Sequence, residues 1–176
     1  MPPRTTLIWL AVFAVIVLLG TRGPGLLGRN EDERLDASVT GRVVRVIDGD
    51  TVRVRLDEPV ESRTVRYIGV DTPETVAPGE PVQCFGKAAS DFNRRLVAGK
   101  RVRLLLGRER RDRYGRLLAY VRIEGGPLVE DVLLQRGFAR TLTIPPNDDR
   151  APHFRALERR ARVAHVGRWG ACPAGG

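Results

Sequence analysis

Two alternating runs on either side of a tight acidic turn set the first limit on this chain. Val39-x-Gly41-x-Val43-Val44-x-Val46-Ile47 and Val52-x-Val54-x-Leu56 flank Asp48-Gly49-Asp50. A period of two sends alternate side chains to opposite faces, so both runs predict strands with one buried and one solvated side. Three further runs follow at Val65–Val70, Val102–Leu106 and Leu117–Ile123. Between the third and fourth, Phe85, Ala88, Ala89, Phe92 and Leu96 recur at helical spacing, and Gly99 stops the pattern. A second helix is expected at Val129–Arg136, ended by Gly137. A third follows Pro152, with Phe154, Leu157, Ala161 and Ala164 on one face. Five short strands with a helix before the fourth fit an α+β fold, a small five-stranded barrel with three helices packed outside it.

Charge narrows the partners. The 176 residues carry a net charge of +9. Arg4, Arg22, Arg29 and Arg34 are cancelled by Glu31, Asp32, Glu33 and Asp36, so the whole surplus lies beyond residue 36. That excess favours a polyanion, either nucleic acid or an anionic lipid surface. Leu7–Leu19 is an unbroken apolar run between Arg4 and Arg22. Its length falls short of the ~20 residues of a standard spanning helix and suits an export signal. No small-x-small cleavage pattern follows it, which favours an uncleaved apolar helix through residues 5–20 over a cleaved signal. Residues 1–22 are therefore read as signal or anchor, 23–37 as linker, 38–172 as the folded domain and 173–176 as a tail. The only cysteines, Cys84 and Cys172, are a candidate disulfide in an oxidising compartment, with two separate free thiols as the alternative. With His153 and His165 they lack any zinc-site spacing.

Three segments carry the chemistry. Asp48-Gly49-Asp50-Thr51, Asp71-Thr72-Pro73-Glu74 and Asp112-Arg113-Tyr114-Gly115-Arg116 each have an ordinary reading as turn or loop punctuation, and Arg66 as an outward residue of a half-exposed strand. Asp48 does not open an EF-hand loop, because its twelfth position is Pro59. Taken together, the segments supply carboxylates for a hard cation (Asp50, Asp71), a further carboxylate (Glu74) and two guanidinium groups (Arg66, Arg116). Phosphodiester hydrolysis uses such parts. A hard cation polarises the phosphoryl group, a carboxylate positions or deprotonates water, and planar guanidinium forks match phosphate oxygens.

In type, order and spacing these segments resemble the active-site segments of the staphylococcal nuclease (thermonuclease) family over about residues 38–170. The resemblance implies an OB-fold barrel with three helices and Ca²⁺-dependent endonucleolytic cleavage of DNA and RNA, single-stranded or denatured polymer being preferred. It implies that Asp50 and Asp71 ligate Ca²⁺ through side chains and Thr72 through its carbonyl, with Asp48 behind them. Glu74 would be general base, Arg66 and Arg116 would hold the scissile phosphate, and Arg113 and Tyr114 would contact substrate. Products would carry 3′-phosphates. A place outside the cytoplasm, secreted or membrane-anchored, is favoured by calcium supply and by the danger of an active nuclease inside a cell, and a monomer is the default. The chain departs from the family at Arg140-Thr141-Leu142-Thr143-Ile144-Pro145-Pro146, where nuclease members carry two tyrosines near the base. Lost base stacking, ~1–3 kcal/mol per base, predicts weaker substrate binding with catalysis retained. The competing readings are a barrel that binds nucleic acid without cutting it, and a surface protein gripping anionic lipid. A degenerate copy would have lost an acid or an arginine, and none is missing.

Overall fold

The computed structural model describes residues 38–74 and 83–173. Five strands close a barrel: β1 (Ser38–Val46), β2 (Thr51–Leu56), β3 (Ser62–Tyr67), β5 (Arg101–Arg111) and β6 (Leu117–Ile123), in the order β1-β2-β3-β6-β5. Neighbours are antiparallel except β3 and β6, and β1 pairs with both β2 and β5. This is the OB-fold arrangement. The alternation read in the sequence decides the inside: Val52, Val54 and Leu56 are buried while Arg53 and Arg55 are exposed. Val43, Val65, Tyr67, Val102, Leu104, Ala119 and Val121 complete the interior. A bulge between Val43 and Arg45 breaks the alternation of β1 and turns Val44 out, 51% exposed.

Three helices of more than one turn pack outside: α1 (Gly86–Val97), α2 (Val129–Gln135) and α3 (Ala151–Val163). A short α4 (Arg168–Ala171) was not expected. Two further differences matter for the site. The expected strand Val65–Val70 is not continuous. Gly69 has φ +82°, and a Cβ there would stand 2.5 Å from the Phe154 ring, so the chain turns at a position only glycine fills. Beyond it, β4 (Val70–Asp71) leaves the barrel and pairs with β7 (Arg140–Thr141), setting Asp71 opposite Arg140.

The buried face of α1 is also rotated from its expected position. Ala89, Asn93 and Val97 are buried, whereas Ala88, Phe92 and Leu96 are half-buried. Phe85 lies at the helix start with φ 71°, and it and Phe92 stack on Phe138 rather than entering the barrel. Ala164, expected on the apolar face of α3, is exposed just beyond that helix. The apolar segment over residues 5–20, the linker and residues 174–176 of the tail lie outside the described residues. Among those described, no helix is long and apolar enough to cross a membrane.

Candidate active site

The β1–β2 turn is built to present Asp50. Ile47 N–H and Asp48 N–H both donate to the Thr51 carbonyl (2.9 and 3.3 Å). Asp48 Oδ1 accepts the Asp50 amide at 2.9 Å. The turn is then fixed from beneath: Asn93 Nδ2 donates to the Asp48 carbonyl at 3.0 Å, and Tyr67 OH donates to Asn93 Oδ1 at 3.1 Å. This explains why α1 buries an asparagine where the sequence suggested an apolar stripe. A buried polar side chain is tolerated when its donors and acceptors are matched. Gly49 lets the turn close on the next segment, since a Cβ there would meet Thr72 Oγ1 at 2.5 Å.

Asp50 is only 5% exposed. Its Oδ2 accepts the Thr72 amide (2.8 Å) and the Thr72 hydroxyl (3.0 Å), and Thr51 Oγ1 donates to its Oδ1 at 3.2 Å. Burial pushes its carboxyl up to about 6; the Arg66 guanidinium pulls the other way, and neighbouring Asp48 adds to the rise. Arg66 is the junction of the site. Its Nε lies 3.2 Å from Asp50 Oδ1 and its Nη2 lies 3.1 Å from Asp71 Oδ1. Its Nη1 donates to the carbonyls of Tyr67 (3.0 Å) and Val70 (2.9 Å). One guanidinium therefore brings together two carboxylates that are distant in sequence. Arg140 closes the far side, with Nε and Nη2 each 2.9 Å from Asp71 Oδ2.

Arg116 comes from the turn before β6. Asp112 orders that turn by accepting the amides of Tyr114 (2.9 Å) and Arg116 (3.0 Å) on Oδ1, and it fixes the Arg116 side chain through Oδ2 to Nε at 2.6 Å. Burial alone would raise the Asp112 carboxyl, but the Arg116 guanidinium and these amides outweigh it and hold it below the usual carboxylate range. The Arg113 guanidinium sits 4.8 Å from the centroid of the Tyr114 ring and that of Arg116 sits 5.4 Å from it. Arg66 and Arg116 line one cleft of about 360 Å³, with Tyr114, Leu118, Leu142 and Ile144 among its walls. Glu74 lies exposed, three residues past Asp71. Its backbone is stapled by Gln83, whose Oε1 accepts the Glu74 amide (3.0 Å) and whose amide donates to the Glu74 carbonyl (3.1 Å). Next to Gln83, Cys84 is joined to Cys172 with a Cα–Cα distance of 6.0 Å. This disulfide ties the start of α1 to the end of α4.

The acid cluster has the composition of a hard-cation site. Asp50 and Asp71 are ion-paired with Arg66 and Arg140, and Asp48 stands beside Asp50. The donors at hand are all oxygen, which suits Ca²⁺ or Mg²⁺ and not a thiophilic metal. No group of three or more acidic, histidine or cysteine side chains among the described residues forms a ready metal cluster.

Several participants were not assigned roles from sequence. Arg140 lies in a segment that the sequence marks only by its lack of aromatics, and its pairing with Asp71 depends on β4 meeting β7, which no local pattern announces. The Tyr67–Asn93–Asp48 relay joins a strand, a helix and a turn. Asp112 was visible inside its motif, but its hold on Arg116 needs the turn geometry.

Residues 64–171 match the family model of the staphylococcal nuclease homologue. The chain is 42% identical over 151 residues to a thermonuclease of Staphylococcus hyicus, covering 81% of this chain and 83% of that protein. It is 43% identical over 127 residues to a thermonuclease of Staphylococcus intermedius, covering 72% and 74%. It is also 41% identical over 127 residues to the endonuclease YncB of Bacillus subtilis, covering 71% of this chain and 59% of that protein. Kinship over most of its length makes this chain a member of the staphylococcal nuclease family, a nuclease that hydrolyses phosphodiester bonds.

Proposed function

We propose that the chain is a Ca²⁺-dependent endonuclease, exported or membrane-anchored, that cleaves DNA and RNA to 3′-phosphate products. The observation that carries this reading is the Arg66 junction: both acids suited to a hard cation meet one guanidinium at the edge of a cleft that Arg116 also lines. In this reading Asp50 and Asp71 would hold Ca²⁺ by their carboxylates and Thr72 by its carbonyl, while Asp48 steadies the Asp50 backbone. Bound Ca²⁺ polarises the phosphoryl group and withdraws charge from it.

The rest falls to the protein. Glu74 takes a proton from the attacking water, whose oxygen bonds to phosphorus. The bond from phosphorus to O5′ breaks, the leaving oxygen takes a proton from solvent water, and the phosphate stays on the 3′ side. Arg66 and Arg116 bind the equatorial oxygens and stabilise the added negative charge. Arg66 is fully engaged with Asp50, Asp71 and two carbonyls. Its Nη2 donates to Asp71 Oδ1 and its Nε is ion-paired with Asp50, so both point towards the acids at the edge of the cleft. Nη1 can stay on the carbonyls of Tyr67 and Val70 and keep the fork aimed. Arg113 and Tyr114 contact the flanking nucleotide, and aliphatic Leu118, Leu142 and Ile144 form a base wall that is weak and indifferent to sequence. Single-stranded or denatured polymer suits an open cleft of this kind, acted on by a monomer. Placement outside the cytoplasm, through residues 5–20 if they are retained, would meet the calcium requirement. The test is degradation of denatured DNA by the full chain with Ca²⁺ or with chelator. Loss of activity in chelator supports the reading, and equal activity in both removes the cation from it.

A further inference from the structure

The outer surface of the barrel carries arginines directly opposite one another across strands. Arg42 pairs in register with Arg55 and Arg45 with Arg53 between β1 and β2. Arg42 also faces Arg101 on β5, and Arg103 on β5 faces Arg122 on β6. All are exposed. Like charges directly opposite on a sheet are destabilising. Arg101 is neutralised by Asp57 and Glu124, at 2.8 and 2.9 Å. Among the described residues, no carboxylate lies within ion-pair distance of Arg45, Arg53, Arg55, Arg103 or Arg122. A sheet face that stacks uncompensated like charge in register is suited to meet an external polyanion.

Its placement says which one. Arg66 pairs with Thr51 in the β2–β3 ladder. The next outward rung is Arg45, Arg53 and Thr64, and the one after is Arg42, Arg55 and Ser62. Successive rungs on one face stand about 6.6 Å apart. The arginines therefore begin one rung from the residue at the phosphodiester site and lead away from it over β2 and β1 towards Arg103 and Arg122.

We propose that this arginine ladder binds the sugar–phosphate backbone of the polynucleotide flanking the scissile bond, outside the cleft. The inference rests on the nuclease reading and adds to it a second binding surface for polymer. Guanidinium groups over phosphates relieve the cross-strand repulsion and release counterions, so the contribution is independent of sequence and sensitive to salt. It offsets the base stacking that Leu142 and Ile144 do not supply.

The test compares the full chain with the quadruple variant Arg45→Ser, Arg53→Ser, Arg55→Ser, Arg103→Ser and with the same four positions as Lys. On a dinucleotide substrate, too short to span the site and the ladder together, kcat and KM of the Ser variant stay within about twofold of the parent. On long single-stranded DNA its KM rises at least tenfold at low salt with kcat kept, and the Lys variant recovers most of the loss. With chelator present, the log–log salt slope of DNA binding falls by about 0.7 for each phosphate that the variant no longer neutralises. Unchanged binding and cleavage of long DNA by the Ser variant overturns the ladder. Equal loss on the dinucleotide also overturns it, since the effect would then be on the fold or the cleft. Vesicles containing phosphatidylserine are the control: loss of vesicle binding with DNA affinity kept assigns the surface to lipid and overturns the proposal. If the parent cleaves neither substrate, the nuclease reading fails instead, and the chelator binding arm still decides the ladder.

Discussion

Arg116 and Glu74 are held by different means, and this shapes what their replacement does. Arg116 is locked by Asp112 and lines the cleft. Glu74 is exposed, with its backbone clipped by Gln83. Neither belongs to the core, so Glu74→Gln and Arg116→Ala are each expected to lower kcat by about 10²–10⁴-fold while the melting temperature stays within a few degrees. Steady-state kinetics with thermal unfolding checks this; near-normal turnover in either variant removes that residue from the chemistry. Asp112→Asn keeps an oxygen for the turn amides but loses the charged partner of Arg116. A hydrogen bond to a charged group is worth about 1.5–3 kcal/mol, so activity is expected to fall roughly tenfold or more, with single-turnover rates as the readout. At this scale the sequence was most legible. Asp48, Asp50, Arg66, Asp71 and Thr72 sit in short segments whose order alone suggested a phosphodiester site, and the structure places them in one connected cluster. Arg140 and Asn93 were not legible, because their roles exist only where β4 meets β7 and where α1 meets the β1–β2 turn.

The elements tell a similar story with different failures. Periodicity located the barrel strands because alternation is a local signal, but it ran β3 through Gly69 and ended β5 at Leu106 instead of Arg111. The break at Gly69 is set by the Phe154 ring of α3, a neighbour no local pattern contains. Helix α2 supplies a testable oddity. Glu130 is fully buried, and its Oε1 accepts the Val121 amide of β6 at 2.9 Å. Burial raises its carboxyl to about 8, with its own backbone amide and that of Val121 pulling the other way. A carboxyl that is easier to ionise when unfolded favours the folded state fully below its ordinary value of 4.5. That advantage is lost as pH rises through the folded value. Stability of the parent should therefore decline between about pH 5 and 8, whereas Glu130→Gln, which can still accept the Val121 amide, should be flatter and more stable at pH 8–9. Urea unfolding at several pH values decides it, and parallel curves would contradict the assignment. The Cys84–Cys172 bridge spans 88 residues. In the chain-entropy account its loss costs about 4–5 kcal/mol, so Cys172→Ser should lower the denaturant midpoint markedly with the barrel still formed.

For the molecule as a whole, charge and fold act together. The surplus of +9 is not spread evenly: part of it is laid in register on the barrel exterior, and part converges on Asp50 and Asp71. The sequence could announce a polyanion partner but not this division, because the sum is indifferent to position and the register of paired strands is not. Acids and guanidiniums from separate elements converge on one place, and the proposed function has them hold one cation and one phosphate there. Calcium titration by calorimetry tests this directly, using the full chain with a nucleotide bisphosphate present and comparing it with Asp50→Asn and Asp71→Asn. One Ca²⁺ per chain, bound by the parent and lost or weakened at least tenfold in both variants, is the predicted result. Binding undiminished by either substitution, or no Ca²⁺ bound by the parent, would contradict it.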